Sequence, residues 1–83
     1  MEQKKVGERI KKLRIELTNM SQEEFAKHIG VDRTYMSRLE SGQKNPTLET
    51  LNKVCDGLNI TLKVFFDFSD SDIESSRRKI WLN

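Results

Sequence analysis

Arg33, Thr34, Ser37, Arg38 and Ser41 recur at steps of three and four, so a helix would carry all five on one face, and each bears a hydrogen-bonding group. Such a face suits the edges of base pairs. Arginine donates two hydrogen bonds to guanine, serine and threonine hydroxyls donate or accept, and the threonine methyl meets the methyl of thymine. Arg33 is the leading base reader because it stands at the first helical position, and Arg38 follows about one turn later on the same side. The competing reading of an outward arginine is a solvated surface group, and the setting of the helix decides between the two.

A second group of residues suits phosphate. Gln22 opens a different helix, where a side-chain amide and free backbone N–H groups can hold an anion together. Gln43, Lys44 and Asn45 come directly after the first face and offer short polar or cationic donors to a DNA backbone, or else form a polar loop without a ligand. Little in the chain suits catalysis. His28 has no Ser, Cys or carboxylate arrangement around it that would make a base and nucleophile. Cys55 falls on the apolar side of a helix and reads as a core residue; one Cys and one His make neither a disulfide nor a zinc set. No enzymatic activity, cofactor or metal is expected.

These residues need rigid elements to aim them, and the capping signals supply the boundaries. Val6, Ile10, Leu13, Leu17 and Met20 form the stripe of a first helix over about residues 4–18. Ser21 with Glu24 makes a capping box, Met20 with Phe25 a hydrophobic staple, and a second helix runs to Ile29. Gly30 stops it. Asp32 caps a third helix that ends at Ser41 and Gly42, with Tyr35, Met36 and Leu39 turned toward the core. Thr47 caps a fourth helix, whose Leu48, Leu51, Val54, Cys55 and Leu58 share one side, and Asn59 is a left-handed stop. Over 60–68 the β-branched and aromatic residues suit a strand, but Thr61 as cap with Ile60 and Phe65 at staple positions favours a short helix.

Eighty-three residues with one Pro and four Gly, 34% charged and 35% hydrophobic, leave room for one modest helical domain over 1–68 and a tail over 69–83. No stretch approaches the roughly 20 apolar residues of a membrane span, and the opening Met-Glu-Gln-Lys-Lys lacks the apolar segment of a secretion signal. A cytoplasmic protein without a membrane partner is expected. The net charge is only +2, so a basic footprint must come from clustering. Lys4, Lys5, Arg9, Lys11, Lys12 and Arg14, against Glu8 alone, supply one, or a solvated helix face.

The runs Ser-Gln-Glu-Glu-Phe-Ala, Ile-Gly-Val-Asp-Arg-Thr-Tyr-Met-Ser-Arg-Leu-Glu-Ser-Gly and Asn-Pro-Thr-Leu closely resemble the XRE family of helix-turn-helix regulators, which includes the lambda and 434 phage repressors. The resemblance spans about residues 6–68. It implies an all-α, compact five-helix bundle of the lambda repressor type that binds double-stranded DNA, usually as a dimer on a palindromic operator. Asp32-Arg33-Thr34-Tyr35 further resembles the recognition segment of controller proteins of restriction-modification systems. That likeness implies base reading by Arg33 and backbone contacts by Thr34 and Tyr35, so the Tyr35 hydroxyl is expected on a phosphate while its ring packs inward.

One recognition helix covers few base pairs, so a two-fold homodimer with half-sites roughly 34 Å apart is expected. Phe65, Phe66 and Phe68 exceed what one short helix buries beneath itself, and with Leu62 they are expected at the two-fold contact; the alternative is that all three close the monomer's own core. The tail pairs Ile73 with Ile80 and ends in an apolar triplet around Trp81. It is a disordered end, a docked helix or a peptide for a partner protein. An antitoxin that binds its own promoter and holds a toxin through Trp81 is the rival to a simple regulator.

Overall fold

Among the described residues, four of the five helices start where a short polar side chain takes up the N–H groups that a first turn leaves unpaired. The computed structural model describes residues 3–67. Its helices are α1 (Gln3–Thr18), α2 (Gln22–Ile29), α3 (Arg33–Ser41), α4 (Leu48–Leu58) and α5 (Leu62–Phe65). Ser21 Oγ accepts the Glu24 N–H at 3.1 Å while Glu24 Oε1 accepts the Ser21 N–H at 2.8 Å, which completes the capping box. Asp32 Oδ2 accepts from the N–H groups of Thr34 and Tyr35, Thr47 Oγ1 from Thr50 and Thr61 Oγ1 from Val64. Each cap contributes about 1 kcal/mol to the start of its helix. The Thr61 cap also settles the described part of the 60–68 segment, residues 60–67, which is helical over Leu62–Phe65 and not a strand.

Phe25, Phe65, Ile10, Met36, Leu39 and Val54 are fully buried and form the centre of the core. α1 lies against α3 and α4, α2 against α3 and α4, and α5 closes on α4. The approach of α1 to α3 depends on Gly7: a Cβ there would collide with the Leu39 carbonyl oxygen and stand 2.8 Å from that of Glu40. Backbone atoms cannot yield as a side-chain tip does. Gly7→Ala should therefore push α1 off α3 and cost about 1–3 kcal/mol, read as a lower midpoint in urea unfolding.

Three expectations need correction. Leu17 is half exposed although it is in phase with Val6, Ile10 and Leu13. α1 is about 24 Å long and α3 about 13.5 Å by helical rise, so α3 is too short to cover the whole stripe of α1. Arg9 and Arg14, counted with the basic footprint, are buried. Arg9 Nε donates to the Phe65 carbonyl at 2.8 Å, and its Nη2 donates to those of Val64 at 3.0 Å and Asp67 at 2.8 Å. Arg14 pairs with Glu40. Phe65, expected at a two-fold contact, is 0% exposed and belongs to the chain's own core. Phe68, the tail with Ile73, Ile80 and Trp81, and the boundary at 68 lie outside the described residues.

Candidate nucleic-acid interface

The short connection from Gly30 to Asp32 brings α2 and α3 together as a helix-turn-helix, and the burial pattern along α3 fixes which face looks outward. Arg33, Thr34, Ser37, Arg38 and Ser41 are exposed, whereas Met36, Leu39 and Glu40 are buried. The five hydrogen-bonding residues therefore form one continuous outer stripe. Its N-terminal end, with Arg33 and Thr34, is held by the Asp32 cap.

The stripe is held rigid from behind by ionic and polar contacts. Arg14 Nε donates to Glu40 Oε2 at 2.8 Å and Nη2 to Glu40 Oε1 at 3.0 Å, a two-pronged pair that joins α1 to α3. Arg14 Nη1 also donates to the Met20 carbonyl at 2.8 Å, which ties in the chain just before α2. Gln22 Nε2 donates to Glu40 Oε1 at 3.0 Å, so the carboxylate links α1, α2 and α3. One N–H of the Gln22 amide is thereby engaged, and the same nitrogen keeps a second.

Tyr35 is half-buried, with its ring against the core, as the sequence suggested. Its hydroxyl lies 3.2 Å from Thr50 Oγ1, and the Thr47 hydroxyl donates to Thr50 Oγ1 at 3.0 Å. With Thr50 Oγ1 already accepting, its own hydrogen can point to the Tyr35 oxygen and leave the phenolic proton for an outside acceptor. Gln43, Lys44 and Asn45 are exposed just past the α3 stop. Glu40 and Thr50 were not identified from the sequence. The only hint was Glu40 within the family-like Leu-Glu pair, and Thr50 gave none.

At the far end, Phe66 is 36% and Val64 48% exposed, next to the half-buried Leu62. The Phe66 ring meets the buried Phe65 edge-on at 5.0 Å. His28 is exposed beside Phe25 and lines an open cleft with Lys53, Asp56 and Gly57. Burial pushes the Cys55 thiol above its ordinary value, with the neighbouring Asp56 carboxylate adding to it, which makes it a poor nucleophile. Among the described residues no three His, Cys, Asp or Glu side chains group to hold a metal ion, and no helix is long and apolar enough to cross a membrane.

A rigid helix-turn-helix with a polar outer stripe on its second helix defines a DNA-binding transcriptional regulator. The Helix-turn-helix family model matches residues 10–65, and the chain belongs to that family, in its XRE type. The chain is 50% identical over 68 residues to Control protein C.MunI of a Mycoplasma species, covering 82% of this chain and 86% of that protein. Among solved structures, the restriction-modification controller protein C.AhdI from Aeromonas hydrophila superposes with a TM-score of 0.71 at 35% identity, over 76% of this chain and 90% of that one. The controller protein C.Esp1396I, as a tetramer in complex with its natural 35 base-pair operator, gives 0.71 at 38% identity, over 78% and 84%. The chain is thus a regulator of the controller-protein type.

Proposed function

We propose that the chain binds a palindromic operator as a homodimer and sets transcription there, with α3 of each protomer in the major groove. The observation that carries this reading is the outer stripe of α3, exposed to solvent yet fixed from behind by Met36, Leu39 and the Arg14–Glu40 pair. Arg33, Thr34, Ser37 and Arg38 read base edges, with Arg33 foremost. Gln22, through its second amide N–H, Tyr35, through its hydroxyl proton, and Gln43, Lys44 and Asn45 hold phosphates on either side. C.Esp1396I on its operator supports this use of the same fold. Acting on DNA, the chain works in the cytoplasm as a binding module and not as an enzyme.

Leu62, Val64 and Phe66 form the apolar end of the fold and supply the two-fold contact in this reading. Phe66→Glu places a charge on that contact, so sedimentation should find monomer where the wild type is dimer, with an unchanged far-UV circular dichroism spectrum. A dimer that survives the change would put the contact elsewhere. The main test is selection of bound sequences from random duplexes with purified protein. A two-fold symmetric motif is expected, and recovery of unenriched sequence would refute the proposal.

A further inference from the structure

Among the described residues the first turn of α1 holds Lys4 and Lys5 and no acid, although the unpaired N–H groups of a helix start favour negative charge and disfavour ammonium groups. The helix start itself therefore gives no reason for two lysines at that place. Both are exposed, and among the described residues neither has an ion pair. Glu8, one turn further on and also exposed, leaves the turn net cationic.

That turn is docked onto the end of the reading helix. Gln3 Nε2 donates to the Gly42 carbonyl at 2.9 Å, across 39 positions of sequence. Gly42 has φ +82°, and a Cβ on it would stand 2.9 Å from Lys4 Cα, so the two backbones meet directly. Gly42 immediately precedes Gln43, Lys44 and Asn45. The fold thus brings the backbone of Lys4, with Lys5 next to it in α1, to the point where the chain leaves α3 and runs on to Lys44.

We infer that Lys4 and Lys5 enlarge the phosphate grip of the connector and hold the duplex backbone beyond the bases that α3 reads. This rests on the reading of α3 as the groove element. The partner is the same duplex, because a regular line of phosphates beside the groove answers a group of lysines placed at the exit of that helix.

The salt dependence of binding on the selected operator tests it. Each phosphate that is no longer neutralised lowers the slope of log affinity against log salt by about 0.9. The Lys4→Gln/Lys5→Gln double variant of the full chain, which changes both protomers of the dimer, should lower the slope by about 2 to 4, weaken every sequence alike and melt no earlier than the wild type. Lys4→Arg/Lys5→Arg should keep the slope. An unchanged slope in the glutamine variant overturns the inference, as does a reduced slope accompanied by a lower melting temperature. Arg33→Ala, run beside it, separates the two readings. If it relaxes a base preference while the lysine variant leaves the slope intact, only the lysine assignment fails; if neither Arg33→Ala nor Arg38→Ala alters any base preference, the α3 reading fails and takes this one with it.

Discussion

Glu40→Ala should lower the thermal midpoint by roughly 15 °C or more, followed by circular dichroism at 222 nm. Glu40 is 6% exposed and its carboxylate accepts from Arg14 and Gln22. Without it the buried guanidinium of Arg14 keeps only the Met20 carbonyl among these partners. Stranding one member of a buried pair costs about 3–5 kcal/mol, against a total of about 0.05–0.15 kcal/mol per residue for a typical domain. Replacing both members, with Arg14→Met and Glu40→Leu, should recover much of the stability, since an apolar pair needs no partner charge. An unaltered melt of Glu40→Ala would mean that the pair contributes nothing to the fold.

Arg33→Ala should leave the fold intact and weaken the preferred sequence by about 1–3 kcal/mol, or roughly 5- to 150-fold, for each half-site, while relaxing the preference at one base position in each half-site. Arg33 is exposed and lies at the start of α3, so no core packing is removed. Competition binding with the selected operator and its single-base variants measures both effects. A uniform loss across all sequences would make Arg33 a phosphate ligand and leave Arg38 as the arginine that reads.

The helix limits were legible because they are local. A capping serine, a glutamate three residues on and a glycine at the stop are set within one turn of chain, and Ser21, Asp32, Thr47 and Thr61 all cap where their spacing suggested. The outer stripe of α3 was legible for the same reason, as helical phase alone sorts Arg33 and Ser37 from Met36 and Leu39. What escaped the sequence is long-range. Arg9 and Arg14 look like solvated cations until the carbonyls 55 to 58 positions away and the carboxylate 26 positions away are brought to them. Phe65 and Phe66 are neighbours of like chemistry, and only the docking of α5 decides that one is buried and the other meets solvent.

α5 has four residues, too few to persist as a helix without help from the rest of the fold, and a side chain from the opposite end of the chain gathers three of the carbonyls at its close. The apolar stub has no independent existence: it keeps its shape through the Thr61 cap, the packing of Phe65 in the core and the hold of Arg9 on its last carbonyls. In the proposed dimer, subunit pairing would then follow the local opening of α5, and mild warming or dilute denaturant should make protomers part before the reading helix loses its form.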